Sequence, residues 1–276
     1  MQRKSAHFVR TAFRVALALG SLTGRAAAAE LSREASTAFE RYIRQAEARI
    51  EAQVEHGDGF LFATTAERRR TLRQGTILTE AQIKIHRGEL KVRSGLIHDW
   101  AGAMFIPNAQ VRDVLGLVQA YDRHSEIYRP EVIRSRILSK NGGDFRVAMR
   151  LLKKKVQVVA VFDTEHAVHY EQRDENRWWS RSRSTRIAEI VDPGTASERV
   201  LAPGTGHGYL WRINSYWTFQ ELDGGTYVEC EAISLTRDVP RGAAWFIEPI
   251  IRTLPRESLA NTLQATRQAV VTHDVR

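Results

Sequence analysis

Residues 132–235 run as apolar and polar side chains in alternation, interrupted by tight-turn signals. Asn141-Gly142 and Asp223-Gly-Gly225 hold residues that tolerate φ > 0, and Asp174-Glu-Asn176 marks a third reversal. This predicts antiparallel strands over 132–139, 144–153, 156–171, 177–191, 209–221 and 226–235. Strands of period two need one face covered. Beyond Leu235 the period becomes helical, with Ala244, Phe246, Ile247, Ile250 and Ile251 followed by Leu259, Leu263, Thr266 and Val270. Pro240 is placed to start this helix, Pro249 to kink it, and Pro255 to break it or open a second segment. The expected class is α+β, with a curved antiparallel sheet wrapped around a long carboxyl-terminal helix. Where inward side chains are small, such packing leaves a ligand-sized gap.

Upstream, Leu31, Ala35, Ala38, Tyr42, Ala46, Ile50 and Val54 recur at helical spacing, so 30–55 reads as a helix stopped by His56-Gly-Asp-Gly59. Glu67-Arg-Arg-Arg70 lacks aromatic neighbours and reads as a solvated basic face. Ile77, Ile83, Ile85 and Leu90 fit one or two short strands. Leu96–Ile106 is a strand closed by Pro107-Asn108, with Gly102 as a possible bulge. Asn108 is placed to cap a short helix whose inner face is Val111, Val114, Leu115 and Val118. Tyr121–Pro130 reads as an aromatic loop.

The formal charge is +9, from 41 basic and 32 acidic residues. The first 29 residues hold five of the basic residues (Arg3, Lys4, Arg10, Arg14, Arg25) and no acid, so the rest is only +4. That balance gives no case for nucleic acid. The same 29 residues have the form of an export signal: a basic start, the apolar run Val15–Leu22, and Ala26–Ala29 as a cleavage site. The run is far below the ~20 residues of a membrane span, so no stable span is expected. The expected division is a signal peptide at 1–29, a helical extension at 30–91 and the main domain at 92–273, located in the periplasm or secreted. The single cysteine, Cys230, excludes an intramolecular disulfide and reads as a buried thiol.

Nucleotide, metalloprotease and serine-hydrolase signatures (P-loop, GxGxxG, HExxH, GxSxG) are absent, and no cofactor or metal is implied. Strand faces supply the candidates. Ala160, Phe162, Thr164, His166, Val168 and Tyr170 share one face of the 156–171 strand. Trp211, Ile213, Ser215 and Trp217 share one face of the 209–221 strand. Met149, Phe162, His166, Trp211, Ile213 and Trp217 are the expected ligand-binding wall, the alternative for each being a filled core. His166 interrupts an apolar face, where an unpaired polar group is costly. It suits orienting a ligand's carboxylate or hydroxyl, or acting as a base. The alternative is a bond to a neighbour near a strand end. His98 and Asp99 lie on opposite faces. Arg181, Arg183 and Glu189 read as one face, and Glu229 and Glu231 as another, facing either solvent or a polar network. Trp178 and Trp179 point opposite ways.

Three segments carry a family resemblance: Gly95–Asn108, the pair Arg212–Phe219 and Tyr227–Leu235, and Leu235–Gly242 through Arg256–Leu259. They resemble the first strand, the last hairpin and the gripping helix of the helix-grip superfamily, which includes START-like lipid-transfer domains and polyketide cyclase-like proteins (the SRPBCC group). The resemblance implies a helix-grip fold over 92–273. It also implies a hydrophobic small molecule or lipid as partner, and no catalytic motif. Three functions follow as expectations. The first is an exported binding or transfer protein enclosing a lipid-like molecule between sheet and helix. The second is a protein-interaction or structural module with a filled core and an exposed apolar stripe on 30–91. The third is a cyclase- or hydrolase-like enzyme using the cavity.

Overall fold

The computed structural model describes residues 29–55, 65–83, 88–155, 158–238 and 244–273. Residues 1–28 of the expected signal, the His56–Gly59 stop, Val156 and Pro240 lie outside the described residues. So do the side chains of Ala244, Phe246, Ile247, Pro249, Ile250 and Ile251.

Described elements in chain order begin with β1 (Ala29–Glu30), α1 (Arg33–Glu55), α2 (Ala66–Arg73), β2 (Leu78–Ala81), β3 (Glu89–Val92), β4 (Gly95–Pro107) and α3 (Val111–Gln119). A 3-10 turn at Tyr121–Arg123 and α4 (His124–Ile127) lead to β5 (Val132–Asn141), β6 (Asp144–Lys155), β7 (Val158–Gln172) and β8 (Arg177–Val191). The chain closes with β9 (Arg199–Val200), β10 (Thr205–Gly206), β11 (Arg212–Leu222), β12 (Gly225–Thr236) and α5 (Ala244–His273). The main sheet has the order β2-β4-β12-β11-β8-β7-β6-β5, with β3 also on β4 and β9 on β8. Its pairings are antiparallel. The predicted turns close the β5–β6 and β11–β12 hairpins, where Gly142 and Asp223 take φ of 55° and 57°. Pro255 does not break α5, which runs through to His273.

The sheet is covered on its inner face and, over β4, β12, β11 and β8, on its outer face as well. The inner face packs on α3 and α5 through Met104, Ile106, Phe219, Val228, Leu259 and Leu263. The outer face packs on α1, where Phe39, Ile43, Ile50 and Val54 meet Phe105, Tyr227, Ile233 and Leu235. Two-sided cover explains why β4 is apolar almost throughout instead of alternating. Phe39 and Ile43 complete the α1 stripe, and Leu31 and Ala29 precede the helix.

Three local expectations change. Gly102 marks no bulge: β4 keeps register with β12 through it. A Cβ there would stand 2.7 Å from Leu263 Cδ1, so glycine lets α5 cross β4 closely. Asn108 does not cap α3; it has φ 61° and the N-cap is Gln110. Finally, Thr185 is bulged between Ser184, opposite His166, and Arg186, opposite Glu165. One extra residue inverts parity. Glu189 therefore stands on the inner face beside Phe162, whereas Arg183 stands on the outer face under α1.

Candidate functional site: a cavity between sheet and helix

The sheet's inner face carries a row of small side chains in register. Ser182 on β8 is opposite Ser215 on β11, which is opposite Ala232 on β12. The neighbouring row is Ser180, Trp217 and Cys230. The side chains of Ser182, Ser215 and Ala232 are too short to reach α5, and the gap is a cavity of about 290 Å³. That volume is at the small end of ligand pockets, which run roughly 300–1,000 Å³. Its far walls are Ala160, Phe162 and Val168 of β7, Met149 and Leu151 of β6, and Leu254, Leu259 and Thr262 of α5.

Five of the six expected wall residues border this space: Met149, Phe162, His166, Ile213 and Trp217. Trp211 does not. It precedes β11, where the chain still bends past Gly208, so period two cannot be extended to it. Its indole joins the outer core with α1, leaving Nε1 sealed without a partner. Tyr209 and Leu210 both reach the cavity instead. Sequence reasoning also passed over Tyr121, His124 and Tyr128. Their spacing of three and four, on a segment read as loop, is the signal that one helical turn aims them together. Their rings touch in series: His124 is tilted against Tyr121, 4.6 Å between centroids, and meets Tyr128 edge-on at 4.8 Å.

Polar groups on the wall are mostly satisfied internally. The Tyr121 and Tyr170 hydroxyls bond each other at 2.8 Å, and Tyr128 bonds Thr266 at 3.1 Å. His124 Nε2 donates to the Val118 carbonyl at 3.0 Å. His166 Nε2 lies 3.1 Å from Thr164 Oγ1. Burial holds both imidazoles down to about 4, so both are neutral at pH 7. The charged lining residues, Glu131 and Lys153, are partly exposed at the rim and paired. Lys153 also donates to Ser258 Oγ of α5 at 2.8 Å, and Asn261 to Glu131 at 2.9 Å, tying the helix to the sheet edge. His98 is buried and bonds Thr236 Oγ1, which borders the cavity, at 3.1 Å.

A second polar cluster lies on the outer face, under α1. Arg49 bonds Glu231 at 2.5 and 3.0 Å. Arg183 and the Tyr216 hydroxyl both donate to Glu47 Oε1, at 2.9 and 2.8 Å. The arginines and Glu231 therefore answer to α1 and not to the cavity. Trp179 faces this side too, its indole N–H on Glu171 at 3.1 Å, while Trp178 faces the inner core. The inner-face Glu189 accepts from the His207 backbone at 2.9 Å and pairs with its imidazole. Among the described residues, no group of three or more His, Cys, Asp or Glu is arranged to hold a metal ion. Nor is any described helix long and apolar enough to cross a membrane.

No protein-family model and no curated protein sequence matches the chain. Solved structures do overlay on it. A STAR-related lipid transfer protein from Xanthomonas axonopodis is 14% identical, with 66% of this chain and 98% of that one covered at a TM-score of 0.45. An aromatase/cyclase from Streptomyces sp. R1128 is 12% identical over 65% and 96%, at 0.42. A START superfamily protein from Mycobacterium smegmatis is 11% identical over 64% and 97%, at 0.39. The fold is a helix grip. It stands on the sheet order and on the position of α5 across β4 and β12. In this grip the sheet also carries α1 and α2 and is extended by β2 and β3, which lie within residues 33–92.

Proposed function

We propose that this chain encloses an apolar or amphiphilic small molecule between the inner sheet face and α5, as an exported binding or transfer protein. The carrying observation is the cavity itself, about 290 Å³ and walled by Met149, Phe162, Ile213 and Trp217. Withdrawing ~300 Å² of apolar ligand surface from water contributes on the order of 7 kcal/mol. Association costs are of similar size, ~4–15 kcal/mol. Apolar enclosure alone therefore gives modest affinity, and the few polar wall atoms decide what is retained.

Export is supported by the basic, apolar and small-residue order of residues 1–29. Division into leader, added layer at 30–91 and grip at 92–273 belongs to the same proposal. A module that binds proteins through an apolar stripe on 30–91 is disfavoured, because the α1 stripe is buried on the sheet. Catalysis from His166 is disfavoured because no charged partner among the described residues raises its basicity.

Native mass spectrometry of the protein from its exported fraction, with organic extraction, tests this. A discrete added mass released by extraction is expected. A bare mass with no uptake from a lipid mixture overturns the proposal.

A further inference from the structure

The proton inventory around His166 restricts what the cavity can hold. Thr164 Oγ1 donates to the Met149 carbonyl at 3.1 Å. A carbonyl oxygen only accepts, so the single hydroxyl proton of Thr164 is committed there. The contact from His166 Nε2 to the same Oγ1 must then have the imidazole donating. With Nε2 protonated and the ring neutral, Nδ1 carries a free lone pair. No described residue donates to it. It is also not among the buried polar atoms sealed without a partner, which are Asp99 Oδ1 and Trp211 Nε1. His166 itself is only 6% exposed and borders the cavity. Its Nδ1 therefore opens on the cavity as a hydrogen-bond acceptor set in an apolar wall. The cationic lining residue, Lys153, is at the rim and already engaged by Glu131 and Ser258.

We propose that the cavity selects a neutral molecule bearing a hydrogen-bond donor, a hydroxyl or N–H group, seated on His166 Nδ1. This rests on the enclosure reading and adds its polar specificity. A ligand acceptor or anion would oppose the Nδ1 lone pair, and a pure hydrocarbon would leave it unpaired. His166 is thus the specificity-determining residue, and Thr164 positions it by fixing the tautomer.

The test compares 2-naphthol, 2-methoxynaphthalene and 2-naphthoate, three probes on one skeleton, by competition against a neutral fluorophore bound to the full protein. Wild type should hold the naphthol about three- to tenfold more tightly than the ether, the worth of one hydrogen bond. The naphthoate should be weakest. In His166→Phe, with His124 left in place, the naphthol–ether gap should close. Equal naphthol and ether affinity in wild type overturns the inference, as does preferred naphthoate. So does a preference that survives in His166→Phe. In each of these cases enclosure stands, because the skeleton binds. Failure of all three probes and of the fluorophore overturns enclosure itself. The wild-type comparison needs no variant to fold.

Discussion

Tyr42 of α1 donates a 2.7 Å hydrogen bond to Asp99 Oδ2 of β4. The acceptor is fully buried and its other oxygen has no partner. Burial, and then the nearby Glu231 charge, raise the Asp99 pKa well above the carboxylate range, although Tyr42 and Arg49 act the other way. This contact fastens the outer helix to the sheet strand that α5 crosses on the opposite face.

That relationship gives stability a pH dependence. A raised native pKa means the stabilising contribution is complete below the unfolded pKa, about 4. It is lost as pH rises through the native value, because the unfolded state ionises first. Asp99→Asn lacks this loss. Urea midpoints of wild type and variant between pH 4 and 8 should diverge in the variant's favour as pH rises. Parallel curves would contradict the assignment.

His124 and His166 act in the opposite sense. Burial lowers both from 6.5 to about 4, so each stabilises fully above pH 6.5 and less as pH falls toward 4. Each contributes a loss on the order of 3 kcal/mol by pH 4. His166→Phe should lose less stability than wild type between pH 7 and 4.5, measured by denaturant unfolding. An unchanged pH slope would contradict a neutral buried His166.

Much of this was legible in residue order, for identifiable reasons. Turn residues such as Gly142 and Asp223 fix strand ends locally, and period two places Phe162, His166, Ile213 and Trp217 on the inner face. The misses come from non-local or single-residue effects. The Thr185 bulge inverts parity without a compositional mark and separates Glu189 from Arg183. Trp211 lies one residue outside β11, where alternation does not apply. The α1 stripe shows that a face is covered, not that Phe105 and Tyr227 cover it. The cavity depends on Ser182, Ser215 and Ala232 coming into register across three strands, which only the pairing reveals.

Cys230 tests access to that row. Its thiol is buried on the cavity wall, and burial raises its pKa well above the ordinary value. The reactive thiolate is therefore scarce across neutral pH. A disulfide reagent at pH 7.5 should modify the native protein at least about tenfold more slowly than the unfolded chain. Bound apolar ligand should slow it further. Full modification at the unfolded rate would contradict a closed wall.

Enclosure requires that the gap over Ser215 be a ligand space. Titrating N-phenyl-1-naphthylamine into wild type and Ser215→Phe addresses it most directly. A phenyl ring at Ser215 projects into the floor between Ser182 and Ala232 and fills it, at an overpacking cost of about 1–3 kcal/mol. Wild type should show saturable, one-to-one enhancement. The variant, with its circular dichroism unchanged, should bind at least about tenfold more weakly. Equal binding by both proteins, or no saturable binding by wild type, would contradict enclosure at this site.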